Sequence, residues 1–108
     1  MTNITNKEIN QIVEKLTLDL FNVGADKTNF KILKMLPTDL KAVMNELNLT
    51  KMPVNTRINE LEKAGLVKRR KGTGMVMPTE MTNYFMDLIK NIEIKVEDSI
   101  KVQISEQN

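Results

Sequence analysis

Apolar positions recur along this chain first at helical and then, briefly, at strand spacing. Ile9, Ile12, Val13, Leu16, Leu20 and Val23 share one helical face, and Thr5 with Glu8 has capping-box spacing, so a first helix is expected from Thr5, stopped by Gly24. Asp26 can cap a second helix carrying Phe30, Leu33 and Leu36, which must end near Pro37 because the residue before proline avoids helical geometry. Thr38 or Asp39 then caps a third, with Leu40, Val43, Met44 and Leu47 as its stripe. Asn48 to Met52 reads as a turn, and Pro53 suits the first turn of a fourth helix, whose Val54, Ile58 and Leu61 repeat until Gly65.

Beyond Gly65 the period changes. Leu66 to Arg70 and Met75 to Met77 read as two short strands around Lys71-Gly72-Thr73-Gly74, a β-hairpin with a basic tip. Pro78 ends the second strand and Thr79 can cap a last helix, although Thr82 stands where a capping box would need Glu or Gln, so no box is expected. Met81, Phe85, Leu88, Ile89, Ile92, Val96 and Ile100 form a stripe on that helix. The same letters admit a second reading: Ile92, Ile94, Val96 and Ile100, Val102, Ile104 alternate with polar residues around Glu97-Asp98-Ser99, as a hairpin would. The helix is followed to about Val96, and the chain is expected to fray beyond Ser105.

Charge sharpens this outline. The chain of 108 residues carries a net charge of only +2, but the charge is segregated. From Lys51 to Thr79 there are 7 basic and 2 acidic residues, whereas the preceding part is balanced and the part from Glu80 onward is net acidic. A local positive field is what phosphate attraction requires, because that attraction is short-ranged at physiological salt. Apolar residues at 41% allow one packed core, and aromatics at 4% leave few faces on which single-stranded bases could stack. Cys and His are both absent, which removes disulfides, thiolate or imidazole metal ligands, nucleophilic Cys and His as a general base. Gly72-Thr73-Gly74 beside Lys71 lacks the spacing of a P-loop, and Asp19 with Asp26, or Glu97 with Asp98, reads as surface charge. The eight Met read as core filler rather than a soft-metal site. No catalytic residue, cofactor or metal is therefore expected, and no enzyme. The N-terminal residues are polar (Thr2, Asn3, Thr5, Asn6) and no apolar run reaches membrane length, so a cytoplasmic protein is expected.

The run Leu47-Asn48-Leu49-Thr50 followed by Val54 to Val67, ending in Leu61-Glu62-Lys63-Ala64-Gly65-Leu66-Val67, resembles the recognition-helix region of winged helix-turn-helix transcription regulators of the ArsR and MarR type. The resemblance implies a mainly α fold with a small β-hairpin: a winged helix-turn-helix over 26–79, flanked by N- and C-terminal helices over 1–25 and 80–108 that dimerise. Many ArsR-like proteins sense metals, but the Cys and His ligands for that are missing here.

With Val54 facing the core, Met52, Thr56, Asn59 and Lys63 point away from it and Asn55 lies on their flank. A helix fits the major groove, and an amide can bond bidentately to adenine N6 and N7, which makes Asn55 and Asn59 the best base readers. Thr56 can meet a thymine methyl or a phosphate, and Lys51 and Lys63 phosphates. Arg69, Arg70 and Lys71 on the hairpin would lie along the backbone or enter the adjacent minor groove. Arg57 falls nearer the buried side and is expected to pair with an acid. The function expected is a sequence-specific regulator of double-stranded DNA, a homodimer and a repressor. Two other readings stay open: a protein-interaction winged helix, which would need an exposed apolar patch rather than a basic wing, and a chromatin-coating protein without sequence choice.

Overall fold

The computed structural model describes residues 3–107, so positions 1–2 and 108 of the expected end segments lie outside the described residues. The elements run α1 (Asn6–Gly24), α2 (Lys27–Met35), β1 (Thr38–Asp39), α3 (Leu40–Leu47), α4 (Lys51–Lys63), β2 (Val67–Arg69), β3 (Met75–Pro78) and α5 (Glu80–Gln107). Side-chain oxygens start the first three helices. The Thr5 hydroxyl accepts from the Glu8 N–H at 3.1 Å, Asp26 from Thr28 and Asn29 at 3.0 Å, and Asp39 from Ala42 at 2.7 Å. Asn48, in the left-handed conformation with φ 54°, ends α3 and turns the chain toward α4. Pro53 falls in the first turn of α4, where an N–H would have no helical partner.

Helix α4 ends in a Schellman motif. Leu66 N–H donates to the Leu61 carbonyl at 2.9 Å and Gly65 N–H to that of Glu62 at 3.0 Å, with Gly65 at φ 83°. The motif turns Leu61 and Leu66 together into the core, where Ile32, Val43, Val54 and Ile58 are also fully buried.

Four expectations are corrected. The sheet has three strands, in the order β1-β3-β2, rather than the two of a hairpin: Thr38 pairs with Val76 and Asp39 with Met75. Two residues leading into a helix carry no readable period, so β1 is invisible to hydrophobic patterning. Gly24 does not stop α1 through a left-handed backbone, since the next residue, Ala25, is right-handed helical with φ −85°. Gly24 is buried because α5 passes over it: a Cβ there would lie 2.8 Å from Phe85 Cζ and 3.0 Å from Leu66 Cδ1. A capping box does form at the start of α5. The Thr79 hydroxyl accepts from Thr82 N–H at 3.2 Å, and the Thr82 hydroxyl from Thr79 N–H at 2.8 Å. Those hydroxyls also donate, Thr79 to the Gly65 carbonyl at 2.6 Å and Thr82 to the Leu66 carbonyl, fastening α5 to the corner between α4 and β2.

Finally, α5 is one helix through Gln107, running past Val96 with no hairpin after Ile92 among the described residues. The chain is consequently far from spherical. Its radius of gyration is 17.7 Å, against about 13 Å for a compact domain of this length.

Candidate nucleic-acid interface

Helix α4 is held by its inner face and by polar ties at its back. Val54, Ile58 and Leu61 are fully buried. As expected, Arg57 is paired: its Nη1 lies 2.8 Å from Asp26 Oδ1. The Asn29 amide, itself buried, donates to the Val23 carbonyl at 3.0 Å and to Glu60 at 3.5 Å. The α1–α2 corner therefore grips α4 twice. The N–H of Asn29, followed by the charge and hydrogen bond of Arg57 and the N–H of Thr28, holds the Asp26 carboxyl below the ordinary carboxylate range against the opposing effect of burial.

On the outer side Lys51, Met52, Thr56 and Asn59 are exposed and Asn55 is half-buried. Asn55, Asn59 and Glu62 lie at spacings of four and three and so share one face. The arginine of β2 closes onto that face. Arg69 Nη2 donates to Asn55 Oδ1 at 2.9 Å and to Asn59 Oδ1 at 2.7 Å. Glu62 supports it, with Oε1 3.8 Å from Arg69 Nε and Oε2 accepting from the Arg69 backbone N–H at 3.4 Å.

Arg69 thus stands apart from the other hairpin cations. Among the described residues, Lys68, Arg70 and Lys71 are exposed and make no ion pair with an acid. Around Gly72 and Gly74, both at positive φ, the tip is closed by Arg70 N–H donating to Met75 O at 2.9 Å and by the Thr73 hydroxyl donating to Arg70 O at 3.1 Å. The structure brings Asn55, Asn59 and Arg69 into one cluster, with Thr56 and Lys51 exposed on the same helix. Lys63 is not part of it. As the last residue of α4, Lys63 borders an apolar groove of about 740 Å³ between α1 and α5, lined among others by Leu16, Phe21, Tyr84 and Leu88.

The contact between Arg69 and the amides escaped the sequence reading, as did the part of Glu62. A signal was present: strand side chains alternate, so with Val67 in the core Arg69 shares its face and looks toward α4, while Lys68 and Arg70 look the other way.

Comparisons with known proteins agree with this geometry. Residues 38–68 match the winged helix-turn-helix DNA-binding family. The fold is similar to the solution structure of the homodimeric winged helix-turn-helix DNA-binding domain Mb0332 from Mycobacterium bovis, a possible ArsR-family transcriptional regulator. That similarity has a TM-score of 0.70 at 16% identity, over 88% of this chain and 92% of that one. It is also similar to reduced HlyU from Vibrio cholerae, with a TM-score of 0.62 at 18% identity over 76% and 93% of the two chains. A search of curated proteins gave no match. The chain has the winged helix-turn-helix fold. Helix α4 stands in the recognition position, the β2–β3 hairpin is the wing, and the matched residues are of a DNA-binding type. Among the described residues no helix is long and apolar enough to cross a membrane, and no three acidic side chains gather where a metal ion could sit.

Proposed function

We propose that this chain is a sequence-specific regulator of transcription that binds double-stranded DNA as a homodimer in the cytoplasm and represses by occupying its site. The observation that carries the reading is the outer face of α4, with Asn55, Thr56 and Asn59 beside a wing whose Arg70 and Lys71 make no ion pair among the described residues. A helix of this size enters the major groove, and flanking cations meet the phosphates. Lys51 and Lys63 add positive charge at the two ends of α4.

Dimerisation is supported by surface. The chain exposes 8362 Å², whereas a compact monomer of its mass exposes about 6,100 Å². The excess, about 2,200 Å² per chain, is of the size that large homodimer interfaces bury. It lies along α1 and α5, where Leu16, Leu18, Ile92, Val96, Ile100 and Val102 are each about half exposed. A second copy seated there would also fill the groove between α1 and α5. The M. bovis domain is described as homodimeric, which points the same way. A two-fold pair would set two α4 helices about 34–36 Å apart, one turn of DNA, and bind a pseudo-palindrome.

Duplex titration at two salt concentrations tests the reading. The logarithm of the affinity should fall by about 0.9 per phosphate neutralised for each tenfold rise in salt. Arg70→Ala with Lys71→Ala should weaken all duplexes alike and flatten that slope, and Ile92→Glu should turn a dimer into a monomer by sedimentation. Binding indifferent to salt, or a wild-type monomer at micromolar concentration, would contradict it.

A further inference from the structure

Arginine has five N–H donors and no acceptor, so an amide that faces it must turn its oxygen inward. Both Oδ1 atoms bonded to Arg69 Nη2 are therefore oriented by chemistry, and the two NH₂ groups are left for whatever approaches α4. This bears directly on base choice. An asparagine that reads adenine needs its oxygen for the N6 amino group and its NH₂ for N7, whereas guanine presents two acceptors, N7 and O6.

Taking the DNA-binding reading above as its basis, we infer that Arg69 is a positioning residue that turns the NH₂ groups of Asn55 and Asn59 outward, so that α4 favours guanine, with two acceptors, over adenine, with one, at the bases these amides meet. Two amides one turn apart converge on one nitrogen, and Glu62 holds both the guanidinium and the backbone N–H of the same arginine. Charge-assisted hydrogen bonds of this kind are roughly twice as strong as neutral ones, and they strengthen when a bound duplex excludes water. Cytosine, which presents an amino donor and no acceptor in the groove, is disfavoured most. Adenine N7 and thymine O4 each offer a single acceptor and are the weaker substitutes.

The test is selection from random duplexes with wild type, Arg69→Met, Arg70→Met and Asn59→Ala, each first shown to melt like wild type. The positions of interest are those whose preference Asn59→Ala abolishes. Wild type should favour guanine over adenine there by about tenfold, the discrimination of a good two-bond contact. Arg69→Met frees the amides to turn, and the ratio should fall toward one; Arg70→Met should weaken binding and leave the profile unchanged. A readout without DNA accompanies it: the side-chain carbonyl carbons of Asn55 and Asn59 should shift in NMR spectra of Arg69→Met, and that of exposed Asn45 should not.

Adenine at those positions in wild type, an unchanged profile in Arg69→Met, or unmoved carbonyl shifts would each overturn the inference while salt-dependent duplex binding stands. Absence of duplex binding by wild type would overturn the DNA-binding reading and this inference with it.

Discussion

Replacing Gly24 by alanine decides between two accounts of this residue. A glycine that merely ends a helix can accept a methyl group, and in a right-handed helical position the exchange gains up to about 1 kcal/mol of helix propensity. A glycine that makes room for a crossing helix cannot. The added Cβ would stand 2.8 and 2.9 Å from two atoms of the Phe85 ring and 3.0 Å from Leu66, and neither neighbour can easily give, with Phe85 only 3% exposed and Leu66 fully buried. Phe85 is further constrained by an edge-on contact with Phe21, ring centroids 5.4 Å apart. Overpacking of this kind costs about 1–3 kcal/mol, so after a propensity gain of about 1 kcal/mol Gly24→Ala should lose up to about 2 kcal/mol. For a domain of this size that is a fall in Tm of up to roughly 9 °C. Denaturant unfolding at one fixed protein concentration measures it, because the stability of any self-associating chain depends on concentration. The double variant Gly24→Ala with Phe85→Leu should recover about 1 kcal/mol relative to the sum of the singles, since the shorter side chain withdraws the clashing ring edge. A Gly24→Ala protein more stable than wild type, or strictly additive singles, would refute the close-approach account.

Further outcomes follow from the polar ties. Because the folded-state pKa of Asp26 lies below its unfolded value of about 3.9, its stabilising contribution is complete at neutral pH and is lost as pH falls through the folded value; Asp26→Asn should flatten that acid limb in pH-dependent unfolding. Thr82→Val keeps the shape but leaves the Thr79 N–H and the Leu66 carbonyl without their partner, which should cost about 1–3 kcal/mol by denaturation, whereas Thr82→Ser should be nearly silent. Asn29→Asp would set a buried carboxylate against the Val23 carbonyl and Glu60; a loss of about 3 kcal/mol at pH 7, partly regained at pH 4, is expected in thermal melts.

Much of the fold could be read from the letters because local and global demands coincide there. Val54, Ile58 and Leu61 repeat at helical spacing, and Ala64-Gly65-Leu66 supplies the Schellman exit the turn requires. The parts missed are those in which a residue answers to a distant neighbour. Gly24 is a glycine on account of Phe85, and Thr82 caps α5 while bonding the Leu66 carbonyl. The run Ile92 to Ile104 imitates a strand pair because α5 is apolar on more than one side there. Its would-be turn, Glu97-Asp98-Ser99, contains no glycine to take a left-handed position. In the candidate interface the residue types were legible, but their mutual orientation was not. That the Asn55 and Asn59 oxygens face Arg69 follows from a strand register, which composition does not encode.

The fastening of α5 at Thr79 and Thr82 has a mechanical side. A helix of 28 residues is about 42 Å long, so one degree of tilt about that corner carries its far end about 0.7 Å while the atoms beside Leu66 hardly stir. Jostling at the distal end is thus attenuated before it reaches α4, whereas a slight repacking around Thr79 sweeps the whole outrigger. In the proposed dimer, substitutions that retune the spacing between the two α4 helices should accordingly gather at this pivot, among small hydroxyl-bearing residues, and not along the exposed isoleucines of the helix end.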